Sequence, residues 1–89
     1  MRPRYLEVTF RRGRPIAAYL YLPRTPGAKV ARTTDEGGGI RVDLDDAGTP
    51  MGIEITAPAV TSAEQINAVL LQFGQPRLDG DDWAPLRAA

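Results

Sequence analysis

Residues 43–54, DLDDAGTPMGIE, set carboxylates at Asp43, Asp45, Asp46 and Glu54 around a glycine, Gly48. Acids at the first, third and last positions, with glycine at the sixth, match the spacing of a calcium-binding loop. The fifth position is Ala47, which offers no ligand. The flanking segments IRVDL and MGIEI alternate apolar and polar residues with period two, whereas a calcium loop lies between helices. A hairpin suits the stretch better. Leu44 then stands opposite Met51, Val42 opposite Ile53 and Ile40 opposite Ile55, all on one face. Arg41 and Glu54 form an opposite-charge pair on the other. The turn falls on Asp46–Thr49, where Asp and Gly do local backbone work. No metal site is expected. Acid–base catalysis by these carboxylates would require burial that drives their pKa values apart, and an exposed turn supplies none.

The chain has no cysteine and no histidine. Disulfides, thiolate metal sites and serine–histidine or cysteine–histidine nucleophiles are thereby excluded. Gly37–Gly39 lack the lysine and helix that follow in a phosphate-binding loop. The expectation is a protein that is not an enzyme and takes no cofactor.

Two sets of side chains remain as candidates for an interaction surface. Tyr5, Tyr19 and Tyr21 share the polar face of the first two strands, and tyrosine suits a half-wet contact surface. Arg11, Arg12 and Arg14 crowd the turn between those strands, where they could touch phosphates. Charge is uneven along the chain. Residues 1–34 carry eight basic side chains against Glu7 alone, and residues 35–89 carry three against ten acids. In one small domain such halves neutralise each other when they lie side by side, so nucleic-acid binding is the secondary reading.

The elements that must position these groups follow from periodicity. Its 89 residues allow one domain. Leu6, Val8 and Phe10 alternate with Tyr5, Glu7 and Thr9. Ile16, Ala18, Leu20 and Leu22 alternate with Ala17, Tyr19 and Tyr21. Pairing Phe10 with Ile16, Val8 with Ala18 and Leu6 with Leu20 merges the apolar faces across an Arg12–Gly13–Arg14 turn, and sets Tyr5 opposite Tyr21 and Glu7 opposite Tyr19. AKVART (28–33) is expected as a third strand at an edge and DEGGG (35–39) as a turn. Strands at 40–44 and 51–55 follow. A capping box at Thr61 with Glu64, or Ser62 with Gln65, starts one amphipathic helix built on Ala63, Ile66, Val69, Leu70 and Phe73. Gly74 and Pro76 end it. The predicted fold is α+β: an antiparallel β-meander of four to five strands with one C-terminal helix packed on its apolar face. Residues 1–74 form the domain and 75–89 a tail, which Leu78, Trp83 and Leu86 could tie down.

AAYLYL, VART and GIRVDLDDAGTPMGIEI resemble segments of a short, uncharacterised bacterial family, the domain of unknown function 2283. The match covers about residues 5–57. The resemblance implies a small sheet-plus-helix domain with no established activity, and by analogy an antitoxin-like or accessory role. Ala47 departs from an acid common in that turn. The chain shows no signal-peptide or membrane-spanning run and is expected to be cytoplasmic and bacterial. The expected function is a protein–protein interaction module that forms a homodimer, through a strand edge or the tyrosine face, or binds a protein partner. The alternative is a small nucleic-acid-associated regulator using the N-terminal arginines.

Overall fold

Apolar alternation in four segments, and a pair of threonines in a fifth, become five strands in the computed structural model, which describes residues 4–87. They are β1 (Tyr5–Arg11), β2 (Arg14–Tyr21), β3 (Arg32–Gly37), β4 (Ile40–Leu44) and β5 (Pro50–Ile55). The helix α1 (Ala63–Gln72) follows, then a 3-10 turn (Asp81–Trp83) and the short helix α2 (Ala84–Arg87). Arg2 of the basic N-terminal half and residues 88–89 of the expected tail lie outside the described residues.

All pairings are antiparallel, and the sheet order is β1-β2-β5-β4-β3. This corrects the expected meander, in which β3 would lie beside β2. The two candidates for that place differ in what they can bury. β5 reads PMGIEI and is buried at every position except Glu54. It therefore takes the centre, with Ile53 beside Leu20 and Ile55 beside Ala18. β3 reads RTTDEG, has no large apolar side chain, and takes an edge. Its span also differs from the expected one. Ala28 N–H bonds to Thr25 C=O in a turn, and Val30 is exposed. Asp35 and Glu36, expected in a turn, lie in the strand. The β3–β4 connection rests on Gly37, Gly38 and Gly39, whose φ angles of 83, 63 and 78° require glycine.

The β1–β2 ladder has the expected register from Tyr5 opposite Tyr21 to Val8 opposite Ala18. It departs at Phe10, which meets Pro15 rather than Ile16. The cause is the turn. Arg12 (φ 53°) and Gly13 (φ 76°) close a two-residue hairpin that forces Arg11 opposite Arg14. That register is one residue out of step with the apolar pairing, and a bulge after Thr9 absorbs the difference. Phe10 and Ile16 are left exposed. In the β4–β5 hairpin, Ile40–Ile55, Arg41–Glu54 and Val42–Ile53 pair as expected, while a bulge sets Leu44 opposite Pro50 instead of Met51.

The core cluster unites Leu6, Ala18, Leu20 and Leu22 with Ile40, Val42, Leu44, Ile53 and Ile55 of the sheet. Ile66, Val69 and Leu70 of α1 and Leu78 and Trp83 of the C-terminal segment belong to the same cluster. Of the two capping boxes, the second forms: Ser62 Oγ accepts from Gln65 N–H at 3.1 Å and Ser62 N–H donates to Gln65 Oε1 at 2.7 Å. Thr61 Oγ1 instead donates to Ala57 C=O at 2.9 Å. Ala63, expected on the apolar face, is exposed, and Asn67 is buried in its stead. Its amide grips Leu78, accepting from the backbone N–H at 2.8 Å and donating to the C=O at 3.4 Å. Arg4 donates to the carbonyls of Pro76 and Arg77. Among the described residues, no helix is long and apolar enough to cross a membrane.

Candidate interaction surface

Strand register assembles the polar face in transverse rows. One row runs Tyr5, Tyr21, Gly52, Asp43, Thr33 across all five strands. The next runs Glu7, Tyr19, Glu54, Arg41, Asp35. Successive strand residues point to opposite sides. Both rows therefore face away from Leu6, Leu20, Ile53 and Val42.

The three tyrosines expected on this face are in mutual contact. Tyr5 and Tyr21 stack, with ring centroids 4.5 Å apart and planes at 13°. Tyr19 meets Tyr21 edge-on, at 4.8 Å and 66°. Tyr19 lies across Gly52: a Cβ there would overlap the tyrosine hydroxyl and ring. This is what the absent side chain of Gly52 provides. The laid-over ring brings its hydroxyl to Asp43, donating to Oδ2 at 2.7 Å, while Thr33 Oγ1 donates to Oδ1 at 2.6 Å. Burial, reinforced by the hydrogen bond to Asp43 and its negative charge, pushes the Tyr19 pKa up to about 12. The Glu7 carboxylate, which accepts from Tyr21 at 3.5 Å, raises the Tyr21 pKa as well.

Arg24, just beyond β2, completes the cluster. Its guanidinium sits 5.7 Å from the Tyr21 ring centroid and donates to Met51 C=O. A hollow of ≈ 550 Å³ opens beside the stacked pair, lined by Tyr5, Tyr21, Leu22, Arg24 and Pro26. A smaller one of ≈ 270 Å³ lies between Glu7, Ala17, Tyr19, Glu54 and Thr56.

The arginine set lies apart from the tyrosines. Arg11, Arg12 and Arg14 are exposed at the opposite end of the β1–β2 ladder from Tyr5 and Tyr21. At ~3.3 Å per residue the two groups are about 20 Å apart. The arginines form a separate tip, with exposed Ile16 beside them.

The acidic stretch resolves into carboxylates with separate local partners. Asp45 Oδ1 accepts from Ala47 N–H at 2.9 Å and Thr49 N–H at 2.8 Å, an Asx turn that holds the β4–β5 connection. Asp43 binds Tyr19 and Thr33, and Glu54 lies 4.0 Å from Arg41. Among the described residues, no three His, Cys, Asp or Glu side chains converge on a common point. The Asp43 carboxylate, serving two hydroxyls at once, anchors Tyr19 and Thr33 to the polar face.

Sequence reasoning missed Gly52, Asp43, Thr33 and Arg24 as parts of this face. Gly52 carried the available signal, since glycine inside a strand marks a close approach. Comparisons with protein-family models, with curated proteins and with solved structures find no match.

Proposed function

We propose that this protein is a non-enzymatic interaction module that associates with itself, through a strand edge or the tyrosine face, or binds a protein partner on the tyrosine face. The observation that carries this reading is the locked aromatic cluster. Tyr5, Tyr21 and Tyr19 are held by stacking, by Glu7 and Asp43, and by the gap at Gly52. Tyr5 is nevertheless 47% exposed. Rigid aromatic side chains with polar tips bind partners at low cost in conformational entropy. In this reading α1 roofs the apolar face through Ile66, Val69 and Leu70 and leaves the opposite face to partners. The likeness of the Ile40–Ile55 hairpin to the domain of unknown function 2283 supports kinship with that family, and an accessory or antitoxin-like role is compatible with such a surface.

The distance from the arginine tip to the tyrosines favours a protein partner over nucleic acid, because base stacking and phosphate contact would have to come from one groove. The test is selection of a displayed peptide library against the wild-type protein, followed by fluorescence titration of the selected peptides. Their affinities are expected to fall at least about tenfold in Tyr5→Ala and Tyr21→Ala. Peptides indifferent to both substitutions would refute the tyrosine face. Binding of mixed-sequence DNA at low salt, weakened by added salt and by replacing Arg11, Arg12 and Arg14 with alanine, would favour the nucleic-acid alternative.

A further inference from the structure

The outer edge of β3 is a template for one more strand, and its side chains identify the strand that fits. We propose that two copies of this chain pair antiparallel along β3, about a two-fold axis at Thr34, with Arg32 of each copy beside Glu36 of the other. This deepens the self-association in the preceding reading and leaves the tyrosine face free.

The choice of register rests on three steps. Neighbouring residues in a continuous sheet share a face. A two-fold antiparallel pair must therefore set one β3 residue opposite its own copy. Four positions inside the strand can do this: Thr33, Thr34, Asp35 and Glu36. An axis at Asp35 or at Glu36 opposes two carboxylates, which is unfavourable. An axis at Thr33 sets Arg32 opposite Thr34 and Asp35 opposite Ala31, and pairs no charges. The axis at Thr34 sets Thr33 opposite Asp35 twice and brings Arg32 beside Glu36 twice; Glu36 stands at the irregularity between Asp35 and Gly37, with its side chain on the α1 side, where Gln72 reaches it. The pattern Arg-Thr-Thr-Asp-Glu is thus self-complementary in one register.

Two further observations agree. Arg32 is exposed and has no ion-pair partner among the described residues. Glu36 receives Gln72 Nε2 on one oxygen at 2.9 Å, and a carboxylate retains capacity for another donor. Second, Thr34 ends the apolar row Leu6, Leu20, Ile53, Val42, and its hydroxyl is the buried side-chain polar atom that lacks a hydrogen bond among the described residues. Such groups are rare because they are costly. At the axis each Thr34 gains a facing Thr34, and cross-strand threonines exchange hydroxyl hydrogen bonds. Joined this way, two five-stranded sheets become one continuous sheet.

Sedimentation equilibrium of the full chain tests the pairing, with far-UV circular dichroism confirming that each variant folds. The wild type is expected to dimerise in a concentration-dependent way. Arg32→Glu and Glu36→Arg, each of which turns two attractive pairs into two repulsive ones, are expected to raise the dimer Kd by about tenfold or more. The double variant Arg32→Glu/Glu36→Arg is expected to restore it. Tyr5→Ala is expected to leave it unchanged. A monomeric wild type, single variants that dimerise normally, or a double variant that fails to recover would each overturn the proposal. A dimer lost in Tyr5→Ala would overturn it in favour of the tyrosine face. Peptide binding to that face survives failure here, so the two readings can fail separately.

Discussion

Gly52 and Tyr19 act as one unit on the polar face. Gly52→Ala forces the ring out of its bed, since the new methyl would occupy the same space as the tyrosine hydroxyl. The expected cost is about 1–3 kcal/mol, the usual range for overpacking, read as a lower urea midpoint. The same pair makes a spectroscopic prediction. The Tyr19 hydroxyl ionises near 12 in the fold and at about 10 in the unfolded chain. Between those values the unfolded chain has lost a proton that the folded one keeps, so stability falls as pH rises through that window. Titration of tyrosinate absorbance is expected to show one group ionising near 12, and Tyr19→Phe is expected to abolish it. Titration of that group at the ordinary tyrosine value would show that its ring is not bedded against Asp43.

Asn67 and Ser62 decide how α1 is held. Ser62→Ala removes the Oγ acceptor of the capping box and is expected to cost about 1 kcal/mol. Asn67→Ala leaves the backbone N–H and C=O of Leu78 without partners in a buried place, and is expected to cost about 1–3 kcal/mol by urea denaturation. A near-neutral Asn67→Ala would mean that the segment after Gly74 is held by other contacts. These two residues also show what the sequence disclosed. The helix and its caps were readable because Ser-x-x-Gln and a terminal glycine report local chemistry. The pairings Tyr5–Tyr21 and Ile40–Ile55 were readable because apolar alternation permits one match. Asn67 was not, since nothing local marks an amide whose partner lies 11 residues on. The bulge after Thr9 was missed because a tight turn and a buried face demanded registers one residue apart. The position of β5 is not legible in the sequence, because adjacency along the chain does not set adjacency in the sheet. Competition between β3 and β5 for the edge of β2 is settled by burial, which acts on the whole sheet.

The C-terminal segment is part of the body. Trp83 is 6% exposed and Leu78 4%, both in the core cluster with Leu20 and Ile66. A domain of this size has little stability to spare. Trp83→Ala is expected to cost about 3–5 kcal/mol, a large share of the 5–15 kcal/mol typical of folded domains. Trp83 also serves as a probe: its fluorescence and the far-UV circular dichroism are expected to report one coincident urea transition. A fluorescence change at lower urea would show that this segment detaches before the sheet melts.

The central position of β5 makes the sheet depend on its last strand in chain order. β5 follows the other four strands in the sequence, yet it joins β2 to β4. Without it the β1–β2 and β3–β4 hairpins are two half-sheets with nothing between them. A chain cut before residue 50 is therefore expected to lack the five-stranded sheet altogether, since the missing piece is the keystone between its halves.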